Sequence, residues 1–234
     1  MLRYENEFTL LESDFDSYDN MKLSSYLDLF QTVAGDHAKE MGIGFNETLK
    51  KGLAWVITKV RLTVFSPLRS SQRVKVVTMP LPKGALDYIR DYYVYDETGE
   101  TVAIGSSQWV LIDYNSRRIS RAVIEYDGEC TKKSAYENTK IEKIPEFDGE
   151  LKYTHTAIPI DIDHNGHVNN IRYADMTLCA SYGEKRPIKC AVLNFSSECR
   201  LGDKIDVFVK TEGDATFYLG KNGEKTSFTA KIEY

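Results

Sequence analysis

Apolar residues at Leu23, Tyr26, Leu27, Phe30, Val33 and Ala34 recur at steps of three and four, the spacing that gathers side chains on one face of a helix. The pattern predicts a helix over residues 23–41, stopped by Gly42 and Gly44. From residue 53 the pattern changes to alternation, through Trp55, Ile57 or Thr58, Val60, Leu62 and Val64, and resumes at Val74, Val76 and Thr78 after a break at Ser66-Pro67. Residues 87–94 and 101–113 read as the arms of a hairpin around Asp96-Glu97-Thr98-Gly99-Glu100. The first half is therefore expected to run strand, helix, four strands. Residues 126–152 are dominated by charged and small polar side chains and read as a linker. Beyond it come a strand over 153–160, a polar turn over 161–169, a helix over 171–182, and strands over 189–195, 204–211, 215–220 and 225–233.

The two halves repeat one order of elements. Setting Arg73 to Val76 on Lys204 to Val207 places Val60, Leu62 and Val64 on Ala191, Leu193 and Phe195. Setting Asn20 on Asn165 places Leu23 on Val168. A helix followed by an antiparallel sheet, given twice, is an α+β layering in which each helix buries its apolar stripe on a sheet. The expected units are residues 1–125 and 153–234, joined by the linker.

Composition narrows the class. Hydrophobic residues make up 42% of 234 and charged residues 28%, enough apolar matter for a packed core. A net charge of −5 lacks the basic footprint of a nucleic-acid binder. No window is long and apolar enough for a membrane span, and the acidic first twenty residues do not read as a signal peptide, so the expectation is a cytoplasmic protein. Cys130, Cys179, Cys190 and Cys199 show no C-x-x-C spacing, which argues against disulfides and a cysteine metal site.

Chemistry concentrates in Asp161-Ile162-Asp163-His164-Asn165-Gly166-His167-Val168-Asn169-Asn170, between a predicted strand and a predicted helix. Such a run can simply make a turn and cap a helix. It can also act: Asp163, Asn165 and His167 alternate, so extended backbone would bring an acid, an amide and an imidazole to one side. The helix start adds backbone N–H groups suited to an oxygen that gains negative charge. In the repeat alignment Tyr18 and Lys22 stand opposite Asp163 and His167, and Pro67-Leu68 opposite Glu198-Cys199, so the ionisable set is expected in the second half alone.

Asp163-x-Asn165-x-His167-Val168-Asn169-Asn170 with Tyr173, and Glu198-Cys199 downstream, resemble the active-site motifs of the acyl-acyl-carrier-protein (acyl-ACP) thioesterases of plant plastids and bacteria. Asp36-His37-Ala38, Leu53 to Thr58, Gln108-Trp109-Val110 and Arg117-Arg118 are similar to that family's motifs in the first half. The resemblance implies a double hotdog fold and hydrolysis of the thioester joining a fatty acid to acyl carrier protein. No cofactor or metal is implied, and no nucleic-acid or membrane partner. The plant members carry a transit peptide, whose absence here fits a bacterial cytosolic enzyme. By resemblance Asp163, Asn165, His167 and Glu198 take catalytic positions, with Glu198 or His167 as general base and Asn165 holding the carbonyl. Cys199 is either a nucleophile or a bystander. His164 is expected to point away as a solvated turn residue. The first repeat is expected to hold the acyl chain, with Leu27, Phe30, His37 and Trp55 as candidate lining residues.

Three other readings stay open at this level: an acyl-coenzyme A thioesterase, an acyl-binding protein without hydrolysis, and a metal hydrolase on Asp163, His164 and His167. A double hotdog contains internally the pairing that single-hotdog proteins reach by dimerising, so monomer and homodimer remain equally open.

Overall fold

The computed structural model describes residues 3–124 and 133–234. Cys130, the boundary at residue 125 and the start of the expected linker lie outside them. Strand β1 (Tyr4–Thr9) leads to helix α1 (Leu23–Glu40), the short helix α2 (Phe45–Leu49), and strands β2 (Leu53–Val64), β3 (Arg73–Pro80), β4 (Asp87–Tyr95) and β5 (Thr101–Asp113). The second half repeats this with β6 (Glu150–Thr156), α3 (Asn170–Ala180), β7 (Cys190–Phe195), β8 (Lys204–Glu212), β9 (Ala215–Asn222) and β10 (Lys225–Glu233).

The strands form one antiparallel sheet in the order β1-β3-β4-β5-β2-β7-β10-β9-β8-β6, which reads the same from either edge once the halves are equated. At its centre Arg61 of β2 pairs with Val192 of β7. These two residues are each other's counterparts under the shift that sets Arg73 on Lys204, so a pseudo-two-fold axis passes between them. One face of the sheet receives α1 through Leu23, Tyr26, Leu27, Phe30, Val33 and Ala34, the stripe expected from the period, and His37 is buried one turn further on.

Three local features depart from the sequence reading. The strand expected over 153–160 begins at Glu150 and ends at Thr156, because Pro159 opens a 3-10 turn in which the Asp161 carboxylate accepts the Ile158 N–H at 2.9 Å. Helix α2 was not anticipated, being too short to show a period. The described part of the linker, residues 133–152, has no regular structure until β6 begins at Glu150, yet it is seated on the sheet face opposite the helices. There Asp91 accepts from Ser134 Oγ and Ala135 N–H, both at 2.7 Å, and Asn194 Oδ1 accepts from Ile144 N–H at 2.8 Å. Buried Ile141 and Ile144 supply its apolar anchors. Among the described residues no helix is long and apolar enough to cross a membrane.

Candidate active site

The turn before α3 is tied by its own acid. Asp163 Oδ1 accepts the Asn165 N–H at 2.8 Å and the His167 N–H at 3.4 Å, while Asp163 N–H donates to the His167 carbonyl at 2.8 Å. Gly166 sits at φ +79°, a conformation that favours glycine. Asn169 then caps α3, its side chain accepting the Ile171 N–H at 3.0 Å.

The first half contains the same turn, and it corrects the repeat alignment in this region. Asp16 N–H donates to the Asn20 carbonyl at 2.9 Å, and Asp16 Oδ1 accepts from Tyr18 and Asn20 N–H. Asp16 therefore matches Asp163, Tyr18 matches Asn165, and Asn20 matches His167, two positions away from the register that equated Asn20 with Asn165. The isolated bridges Phe15 to Met21 and Ile162 to Val168 fix the same register. An acid in both copies makes the turn. What the second half adds is the amide of Asn165 and the imidazole of His167.

The alignment of Glu198-Cys199 with Pro67-Leu68 holds, since Arg69 N–H to Gln72 Oε1 at 3.0 Å is mirrored by Arg200 N–H to Asp203 Oδ2 at 2.8 Å. Both residues lie in the loop after β7 and point apart. Cys199 is 0% exposed, with its Sγ 3.0 Å from Ser227 Oγ in the core. Glu198 faces a cavity of about 700 Å³. Its Oε2 is 3.2 Å from His167 Nε2, and its Oε1 pairs with Arg117 Nη2. The carboxylate side chain is 42% exposed and the imidazole 14%. Burial holds His167 below the ordinary histidine value, Arg117 and Arg200 act in the same direction, and Asp163 opposes them. These influences favour the neutral imidazole, the form able to accept a proton.

Asn165 lines the same cavity, as does the α3 start at Asn169 and Asn170. Its Nδ2 donates to Asp163 Oδ2 at 3.3 Å, which occupies one of the two amide hydrogens. The cavity continues into the first half along Ala34, Gly35 and Ala38 of α1 and Trp55 and Ile57 of β2. Trp55 is fixed there by its Nε1 bond to the Ile43 carbonyl at 2.9 Å and an edge-on contact with Tyr88.

Other candidates fall elsewhere. Leu27 and Phe30 face a separate void of about 10 Å³, and Phe30 stacks on Tyr92 with ring centroids 4.3 Å apart, so these two are core residues beside the cavity. His37 is fully buried with its Nδ1 2.9 Å from Arg90 Nη1 and its ring stacked on Tyr4, and it does not line the cavity. His164 is exposed, as expected of a turn residue, and in addition its ring meets Phe45 edge-on at 4.5 Å between ring centroids at the cavity wall. Its apolar partner comes from the helix that the sequence pattern did not show. Among the described residues no group of three or more His, Cys, Asp or Glu side chains is placed to hold a metal ion.

The sequence marks Arg117 only as part of a motif resemblance, with no role, because its partner lies 81 residues away in the chain. Topology makes it part of the site: β5, β2 and β7 lie side by side, so the loop after β5 meets the loop after β7.

Comparison with known proteins decides the family. The model of the acyl-ACP thioesterase N-terminal domain matches residues 1–128, and that of the C-terminal domain matches residues 150–233. The chain belongs to the acyl-ACP thioesterases. It is 25% identical over 249 residues to the chloroplastic oleoyl-acyl carrier protein thioesterase 2 of Arabidopsis thaliana, an alignment covering 96% of this chain and 68% of the relative. It is 28% identical over 218 residues to the chloroplastic palmitoyl-acyl carrier protein thioesterase of the same plant, covering 85% and 52%. Among solved structures, an acyl-ACP thioesterase from Bacteroides thetaiotaomicron superposes with a TM-score of 0.90 at 22% identity, covering 99% of this chain and 97% of that one. The 12:0-ACP thioesterase of Umbellularia californica gives 0.85 at 21% identity, covering 100% and 97%. These likenesses establish the double hotdog fold, and the family makes the chain a thioester hydrolase acting on fatty acyl-ACP.

Proposed function

We propose that the His167–Glu198 pair activates the water that hydrolyses the acyl thioester, and that the acyl chain lies in the first-half arm of the cavity. The observation that carries this reading is the convergence, in the lining of a single cavity, of an imidazole and a carboxylate 3.2 Å apart. Water attacks the thioester carbonyl carbon while His167 accepts its proton, and the Glu198 carboxylate stabilises the imidazolium that forms. The free N–H of the Asn165 amide and the backbone at the α3 start hold the carbonyl oxygen as it becomes anionic. The tetrahedral intermediate then collapses, the C–S bond breaks, and the imidazolium proton passes to the departing carrier thiolate. The products are a free fatty acid and the carrier thiol, which would end elongation of that chain.

Cys199 has no place in these steps, because its sulfur is sealed in the core. Asp163 acts through the turn it ties. The apolar side chains of the first-half arm suit an alkyl chain, and the small residues Ala34, Gly35 and Ala38 leave room for it.

The test is a hydrolysis assay with acyl-ACP and acyl-coenzyme A thioesters of graded length. Release of fatty acid with a higher kcat/KM from the carrier-protein series supports the proposal. Binding of acyl chains without turnover would refute it, and preference for coenzyme A would refute its carrier.

A further inference from the structure

Arg117 has features that a surface turn does not require. Its backbone lies at φ +58°, a region that side-chain-bearing residues adopt rarely and that tends to persist at functional sites. Asp113 fixes that conformation, its carbonyl accepting the Arg117 N–H at 2.9 Å and its Oδ1 the Ser116 N–H at 2.7 Å. The side chain leaves the first half and reaches the second, where its Nη2 engages Glu198 Oε1 and leaves Oε2 turned toward His167.

We propose that Arg117 is a positioning residue for the hydrolysis, supplied by the first half, which clamps the Glu198 carboxylate so that its other oxygen faces His167. The inference rests on the His167–Glu198 reading above. It gives the non-ionisable half of the repeat a direct part in assembling the reaction centre, so the two halves are not divided cleanly into chain pocket and catalyst.

The clamp also has an electrostatic consequence. Around His167 stand the cations Arg117 and Arg200, one from each loop, and the anions Glu198 and Asp163. Lys39 of α1 and Arg90 of β4 line the same cavity, as does His164 of the turn. Removing Arg117 takes away one of the two cations that disfavour protonation of His167 while leaving the carboxylates, so His167 should protonate at higher pH. A guanidinium matters here for its planar fork, which an ammonium lacks.

The experiment compares Arg117→Asn, Arg117→Lys and the control Arg118→Gln on one acyl-ACP substrate across the pH range, with thermal melts. Asparagine tolerates the left-handed backbone, so Arg117→Asn removes the guanidinium while keeping the turn. The expected result is a kcat about tenfold or more lower with KM within about threefold of wild type, and an acid limb of kcat/KM moved to higher pH. Arg117→Lys should restore the acid limb but only part of kcat, and Arg118→Gln should leave the pH profile unchanged. A raised KM with unchanged kcat would make Arg117 a carrier-binding residue and overturn the proposal, as would an unmoved acid limb. His167→Ala and Glu198→Ala run alongside. If those two keep near-wild-type turnover, the underlying reading has failed; if they are inactive while Arg117→Asn is normal, only the clamp has failed.

Discussion

His167 Nε2 lies 3.2 Å from Glu198 Oε2 although the two residues come from different loops, one before α3 and one after β7. Burial and two arginines lower the imidazole's pKa below the ordinary histidine value, while the neighbouring carboxylate is placed to stabilise the imidazolium once a proton arrives. Most of the expected behaviour of the enzyme follows from that pairing.

The pH dependence has a definite sign. His167 must be neutral to accept a proton, and its environment lowers its pKa below the ordinary histidine value. Activity should therefore rise with pH through an acid limb below about 6.5, the unperturbed histidine value, and hold through neutrality. For stability, the unfolded chain takes up a proton at this residue before the folded one does. Its contribution is full above the unfolded pKa and lost as pH falls toward the folded value. Chemical denaturation at several pH values should show His167→Gln losing less stability on acidification than wild type.

Asn165→Ala should lower kcat by roughly two to three orders of magnitude with the fold intact, the usual cost of an oxyanion donor. Asn20→Ala, at the position equivalent to His167 in the first half, should leave kcat within about threefold of wild type. Steady-state rates on the same substrate check both.

Asp16→Ala and Asp163→Ala separate turn-making from chemistry. Each removes a carboxylate that accepts backbone N–H groups, so each should cost about 0.5–2 kcal/mol in stability, as for a lost cap. Only Asp163→Ala should also reduce kcat, because only its turn carries Asn165 and His167. Denaturation curves paired with kinetics test this.

Cys199→Ala should keep at least about a tenth of wild-type turnover, since a general-base mechanism needs no thiol. Intact-mass spectrometry of a quenched reaction should find no acyl adduct on Cys199. An adduct that forms and decays at the turnover rate would replace the water mechanism with a nucleophilic one.

Chain-length preference should respond to Gly35. It lines the cavity from within α1, and a Cβ there meets nothing within 4 Å. Gly35→Leu should shift the preference toward shorter acyl chains, at about 1–3 kcal/mol of discrimination per methylene excluded. Gly35→Ala should stabilise the fold by about 0.5–1 kcal/mol through helix propensity. An unchanged length profile in Gly35→Leu would place the chain elsewhere.

The longer helices and the strands were legible because their burial is periodic, as the fully realised stripe of α1 shows. The turn before α3 was legible as a cluster of polar types but not in register. Sequence similarity favoured matching Asn20 to Asn165, whereas the backbone bonds made by Asp16 and Asp163 set the true correspondence. Three-dimensional neighbours were hidden for a different reason. The contacts of Arg117 with Glu198 and of His164 with Phe45 join segments distant in the chain, and no local period records them. Leu27 and Phe30 show the converse, since period tells that a side chain is buried without telling whether it meets a cavity or the core.

The central claim, that His167 and Glu198 work as one unit, is tested most directly by a double-mutant cycle on kcat for a single acyl-ACP substrate. His167→Ala should lose about 10²–10⁴-fold and Glu198→Ala about a hundredfold or more. If the two act together, the double variant should be no slower than about threefold below the worse single variant, because the second loss removes a group already without its partner. Losses that multiply in the double variant would show two residues acting independently and would contradict the account.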